Sequence, residues 1–133
     1  MDRPSIILVE DDESLLEVFA SALREEYAVW VARDGAQALE VATELNWDVD
    51  LLIVDLGLGE GPRGDQFVAY YRARQHRRTP VIVVSGAEKA YELARDMGCS
   101  AVLFKPLDLD ELLGTVRVFM PQRSSSDAAE AAG

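Results

Sequence analysis

Leu51-Leu52-Ile53-Val54-Asp55 is the stretch whose reading decides the fold. Four aliphatic side chains run into one carboxylate, and Gly57, Gly59, Gly61 and Gly64 follow. A short branched run stopped by glycines predicts a strand buried on both faces, as in a parallel sheet. Its last residue then emerges at the carboxyl edge of the sheet, where open α/β folds place their ligand sites. Asp55 is therefore either a turn residue or a reactive group, and the rest of the chain has to decide.

Working outward, the same pattern repeats. Ser5–Val9 is an apolar run ending in Glu10-Asp11-Asp12-Glu13, and Leu15, Leu16, Val18, Phe19 and Leu23 then recur at helical spacing over about 13–26. Tyr27–Ala32 predicts a second strand, and Asp34 with Gln37 three residues on predicts a capped helix carrying Ala38, Leu39, Val41, Ala42 and Leu45 inward. Asn46-Trp47-Asp48 closes that helix. After the glycine-rich loop come a helix with Phe67, Val68, Tyr70 and Tyr71, a strand Val81–Val84 ending at Ser85, and a helix over roughly 87–97 stopped by Gly98. Ala101–Phe104 is the fifth strand, ending at Lys105-Pro106, and Asp108 with Glu111 predicts the cap of a fifth helix. Five β-α alternations with short links imply an α/β domain, a doubly wound parallel sheet with helices on both faces and right-handed crossovers. Beyond Pro121 the chain turns small and polar, so 1–121 is expected to be the domain and 122–133 a flexible tail or the start of a linker.

Composition bounds the function. With 133 residues, 49% hydrophobic and 28% charged, the chain suits one globular domain with a real core. No apolar run approaches the ~20 residues that span a bilayer, and Met1-Asp2-Arg3-Pro4 carries no signal-peptide pattern. The lone Cys99 excludes an internal disulfide and a cysteine zinc cluster, making a reducing, cytoplasmic setting the expectation. A net charge of −11 argues against nonspecific binding to nucleic acid or an anionic membrane.

In a parallel sheet the ends of the apolar strands share one edge, so Glu10, Asp11, Asp12, Asp55, Ser85 and Lys105 converge. Gathered carboxylates repel each other unless a cation sits among them, and oxygen-rich sets of this kind suit Mg²⁺. A lysine and a hydroxyl opposite them can hold phosphoryl oxygens, and a carboxylate can be phosphorylated as a nucleophile.

Glu10-Asp11 after the first strand, Asp55 after the third, Ser85 after the fourth and Lys105-Pro106 after the fifth resemble the receiver domain of two-component response regulators. The resemblance covers about 5–120. It implies the CheY-like, flavodoxin-like (βα)5 fold with sheet order 2-1-3-4-5. It implies Asp55 as phosphoacceptor, Asp11 as a direct Mg²⁺ ligand, Glu10 as one acting through water, and the Gly57 backbone carbonyl as a further ligand. Ser85 matches the switch hydroxyl and Lys105 the lysine that pairs with the phosphoryl group, with Pro106 following through a cis bond. The implied activity is accepting phosphate from a histidine kinase or phosphotransfer protein, followed by slow self-hydrolysis, rather than turnover as an enzyme. The implied output is altered binding of a downstream protein through the fourth helix, fifth strand and fifth helix, in a monomer or weak dimer.

Three features depart from the family pattern. Gly59 stands where a proline is common, the loop from Asp55 to Gly64 is about one residue longer than usual, and Val102 occupies the usual position of the switch aromatic. Phe104, on the same strand face as Val102, lies nearer the lysine. Three other readings are weaker. A Mg²⁺-dependent aspartyl-phosphate hydrolase needs a second acid at position 57, where Gly57 stands. A flavodoxin-like cofactor binder needs a phosphate cradle in place of Glu10-Asp11-Asp12-Glu13. A receiver-like module without a phosphorylation switch is the reading that Val102 favours. The bland readings are that Asp12 caps the first helix, His76 and its flanking arginines form a solvated helix end, and Trp30, Trp47 and Cys99 serve packing.

Overall fold

The computed structural model describes residues 3–57, 61–86 and 90–121. Gly59, the expected first residues of the fourth helix (87–89) and the expected tail (122–133) lie outside the described residues. The elements are β1 (Ser5–Val9), α1 (Glu13–Leu23), β2 (Ala28–Ala32), α2 (Gly35–Glu44), β3 (Leu51–Asp55), α3 (Gly64–Arg74), β4 (Val81–Ser85), α4 (Ala90–Asp96), β5 (Ala101–Phe104) and α5 (Leu109–Phe119). The five strands form one parallel sheet in the order β2-β1-β3-β4-β5. The doubly wound α/β fold expected from the sequence is the fold observed.

Strand alternation builds two cores. Ile7, Val9, Leu52, Val54, Val81 and Val83 meet α2, α3 and α4 through Ala38, Ala42, Phe67, Val68, Tyr71 and Ala94. Ile6, Leu8, Leu51, Ile53, Ile82 and Val84 meet α1 and α5 through Leu16, Phe19, Leu23, Leu112 and Val116. All five residues of β3 and of β4 are buried. Each aliphatic side chain of the central strand contributes about 1.5–3 kcal/mol on burial, so β3 is held firmly and Asp55 with it. Cutting Ile53 back to alanine would cost about 2–5 kcal/mol.

The helix starts follow the predicted chemistry. Asp12, Asp34 and Asp108 each accept a hydrogen bond from the backbone N–H three residues on, at 3.1, 2.8 and 2.7 Å. The helix ends are shorter than the periodicity suggested. Helix α1 stops at Leu23, and Tyr27 is a buried residue ahead of β2 rather than part of it. Gly98 ends α4 with φ +66°, the left-handed conformation glycine adopts without cost. Asn46 and Trp47 reverse the chain after α2 with φ of 56° and 55°, and Trp47 N–H reaches back to Ala42 O at 2.8 Å.

Candidate functional site

The register places the predicted residues. Val9 pairs with Val54, so Glu10 and Asp55 leave adjacent strands side by side. Asp55 pairs with Val84, and Ser85 with Phe104, so Ser85 and Lys105 stand next along the same edge. Lys105 N–H donates to Ser85 O at 2.9 Å, tying β5 to β4 at their last step, and the Lys105–Pro106 peptide is cis.

Two glycines let the loop after Asp55 close onto the sheet. A Cβ at Gly64 would lie 2.3 Å from Asp55 O, and one at Gly35 would lie 1.9 Å from Pro62 O. Backbone therefore approaches backbone at the start of α3 and of α2, which no larger residue permits. Within the loop, Gly57 N–H donates to Asp55 Oδ1 at 2.8 Å and fixes the rotation of the carboxylate.

The remaining oxygen faces the lysine. Lys105 Nζ lies 2.9 Å from Asp55 Oδ2 and 2.9 Å from Glu10 Oε1. Glu10 Oε2 also accepts from Asp12 N–H at 3.1 Å. Glu10 and Asp55 are only 1% and 5% exposed, whereas Asp11 faces solvent beside them. Oxygens of Glu10, Asp11 and Asp55 all fall within 4.8 Å of one another. Two buried carboxylates thus share one ammonium, with a third carboxylate at the mouth.

This arrangement splits the two acids. Burial pushes Glu10 up to about 7, more than its bonds to Lys105 and Asp12 N–H pull it down. Burial also opposes ionisation of Asp55, but the Gly57 N–H, the Lys105 ammonium and a hydrogen bond with Glu10 together hold it below the usual carboxylate range. Lys105, between them, is raised in spite of its own partial burial, because both acids favour its charge. The site is built around an ionised Asp55 whose neighbour keeps a proton near neutrality.

All six sequence-derived candidates, Glu10, Asp11, Asp55, Gly57, Ser85 and Lys105, occupy this edge. Ser85 is buried at 4% exposure. Val102 is partly buried against the core on the α3 and α4 side, while Phe104 is 43% exposed and stacks on Tyr91 of α4 at 6.2 Å. The two residues point to one face, as alternation requires, yet Phe104 is the more exposed.

The carboxyl edge is matched at the opposite edge by a cluster that sequence reasoning passed over. Asp50 is 1% exposed; its Oδ2 accepts from Ser5 N–H at 2.7 Å and Ser5 Oγ at 3.0 Å, and its Oδ1 accepts from Arg77 Nη2 at 2.8 Å. An acid just before an apolar run reads as a turn residue, and only the pairing of β1 with β3 brings Ser5 to it. The basic run at 72–78 is likewise not simply a solvated helix end. Arg72 donates to Met97 O and Gly98 O, Arg77 holds Asp48 and Asp50, and His76 Nε2 lies 3.0 Å from Asn46 O.

Comparison with known proteins places the chain. The family model for the response regulator receiver domain matches residues 6–117. The response regulator ArlR of Staphylococcus epidermidis is 29% identical over 132 residues, covering 97% of this chain and 58% of that protein. The ArlR of Staphylococcus aureus is also 29% identical, over 131 residues with the same 58% of its length. This chain thus spans little more than half the length of these curated relatives. Among solved structures, the chemotaxis response regulator CheY4 of Vibrio cholerae superimposes with a TM-score of 0.79 at 24% identity, covering 89% of this chain and 99% of that one. The BeF3-activated N-terminal receiver domain of Klebsiella pneumoniae RstA superimposes with a TM-score of 0.75 at 25% identity, over 89% and 99% of the two chains.

Proposed function

This chain belongs to the response regulator receiver domain family of two-component signalling, and from that premise we propose that it is a phosphorylation-dependent switch with Asp55 as the phosphoacceptor. The observation that carries the reading is the position of Lys105 Nζ, 2.9 Å from both Asp55 Oδ2 and Glu10 Oε1, in an acidic cluster at the carboxyl edge.

The chemistry follows from that geometry. Asp55 is kept ionised, so an oxygen lone pair is available to attack phosphorus. The new bond is O–P; the bond that breaks joins phosphorus to a histidine nitrogen of the donor, which leaves with the electron pair. Gly57 N–H holds Oδ1, which leaves Oδ2, on the lysine side, as the attacking atom. After transfer, Lys105 would exchange its bond with Oδ2 for one with a phosphoryl oxygen, and the Ser85 hydroxyl would accompany it.

The donor set fits a hard divalent cation, since its three carboxylates are oxygen donors within one ion's reach. Asp11 and Asp55 would hold Mg²⁺ directly, Glu10 through water, and the Gly57 carbonyl would complete the protein's share. Mg²⁺ bound there supplies positive charge against the phosphoryl oxygens.

The partners of this reading are a histidine kinase or phosphotransfer protein upstream and a protein target downstream, in the cytoplasm. Among the described residues no helix is long and apolar enough to cross a membrane. A dianionic group at Asp55 would act on the surface of α4, β5 and α5, where Tyr91, Phe104 and Val118 are exposed. The domain would run 1–121, with a tail or the start of a linker at 122–133. The partly buried Val102 favours a second reading, a receiver-like module that binds partners without phosphorylation.

One experiment separates these. Incubation with Mg²⁺ and acetyl phosphate should add the mass of one phosphoryl group to the wild type and none to Asp55→Asn. Equal incorporation in both proteins, or in neither, would remove the switch reading. Sustained turnover of a diffusible phosphate ester would favour a hydrolase instead.

A further inference from the structure

A trough of about 730 Å³ runs between α2 and α3, on the sheet face away from α1 and α5. Leu39, Pro62, Ala69, Tyr70, Ala73 and Arg74 line it. A second hollow of about 390 Å³ continues from Leu39 over the outer side of α2, past Glu40, Thr43 and Glu44. Two helices form the walls, and such walls receive a third helix by the same ridge-and-groove fit that packs helices inside proteins. Ala69 and Ala73, one turn apart, allow its backbone to come close. Tyr70, 47% exposed, offers an apolar ring with a polar tip at the centre of the contact.

Charge selects the occupant. The cation of the trough, Arg74, is already engaged: Nη1 donates to Tyr70 O at 3.3 Å, and its guanidinium lies 5.3 and 5.5 Å from the Trp47 and Tyr70 rings. The acids are not. Glu40 and Glu44 stand four residues apart on one stripe of α2, exposed and in no ion pair among the described residues. A second copy of the chain would add another −11 of charge and face these glutamates with glutamates. We propose that the α2–α3 trough is a docking surface for an amphipathic helix whose apolar stripe is flanked by lysines or arginines. The proposal does not depend on phosphorylation of Asp55, and the surface is separate from the α4-β5-α5 face.

The test uses the full chain, ¹⁵N-labelled, titrated with a designed leucine/lysine amphipathic peptide and with a leucine/glutamate peptide of the same length. The lysine peptide should shift the amides of α2 and α3 most, and the glutamate peptide should not bind. Reversing Glu40→Lys and Glu44→Lys together should weaken binding about tenfold, the sum of two rim ion pairs. Reversing Glu17→Lys and Glu25→Lys near α1, an equal change in net charge, should weaken it less than about twofold. Ala69→Arg, which fills the trough while keeping a good helix former, should also abolish the α2–α3 shifts. Equal weakening by both double reversals, largest shifts outside α2 and α3, no binding of the lysine peptide, or equal binding of the glutamate peptide would each overturn the proposal.

Discussion

The two edges of the sheet each bury a carboxylate against a cation, and they do so in opposite ways. At the amino edge, Asp50 has more donors than charge to satisfy: Ser5 N–H, Ser5 Oγ and Arg77 all point at one acid. At the carboxyl edge, Glu10 and Asp55 divide a single lysine. The first arrangement is electrostatically closed and joins β1, β3 and the α3–β4 connection. The second gives two buried acids one cation, and burial, which the bond to Lys105 only partly offsets, pushes Glu10 up to about 7. One fold thus places a closed ion pair and an acid pair sharing one lysine at opposite ends of its strands.

The largest effect is expected where the closed edge is opened. Asp50→Ala leaves the Ser5 N–H, the Ser5 hydroxyl and Arg77 Nη2 without the buried carboxylate they share, and should cost roughly 3 kcal/mol. Urea unfolding of Asp50→Ala and Asp55→Ala side by side checks the contrast. The Asp55 variant should stay within about 1 kcal/mol of wild type, because its loss leaves Lys105 paired with Glu10. Equal destabilisation by both would mean that the two edges are energetically alike.

The second prediction turns on Glu10. Its folded-state value lies above the 4.5 of an ordinary glutamate, so the folded protein binds more protons than the unfolded chain between these limits. Glu10 therefore lowers stability as pH rises from about 4.5 to about 7, and the whole penalty is present above that. Glu10→Gln should raise stability by about 1–2 kcal/mol at pH 8 and by nothing at pH 4.5, without Mg²⁺. Denaturant midpoints at the two pH values test the sign. A variant that loses stability at pH 8 would show that the Lys105 pairing outweighs burial.

The contrast between the edges also explains what could be read in advance. Strand identity, the capping aspartates Asp12, Asp34 and Asp108, the Gly98 stop and the gathering of Glu10, Asp55, Ser85 and Lys105 all depend on local pattern plus one topological rule. They were legible for that reason. Asp50 was not, because its partners are Ser5 and Arg77, distant in sequence and polar, and nothing periodic announces them. Arg74, His76, Arg77 and Arg78 are exposed, as a charge run suggests. That Arg72, His76 and Arg77 also bond to distant parts of the chain is visible only once the fold places those partners beside them. The fuller exposure of Phe104 beside the half-buried Val102 needed the packing of α4, since strand alternation assigns both to one face and cannot say which is the more exposed.

The smallest expected effect concerns how each cation reaches its two acids. Lys105 meets Glu10 and Asp55 with one nitrogen, whereas Arg77 meets Asp48 through Nε at 3.1 Å and Asp50 through Nη2 at 2.8 Å. Arg77→Lys cannot make both bonds with that geometry, and Asp50, the buried partner, should keep the ammonium while Asp48 loses it. Since Asp48 and Arg77 are 52% and 42% exposed, solvent screens that bond, and the cost should be only about 0.5–1 kcal/mol. In an Asp48→Ala background the same substitution should cost less still, because the bond it removes is already gone. A double-mutant cycle that gives no coupling would mean that Arg77 serves Asp50 alone, and the fork at the amino edge would then reduce to the single-nitrogen contact seen at Lys105.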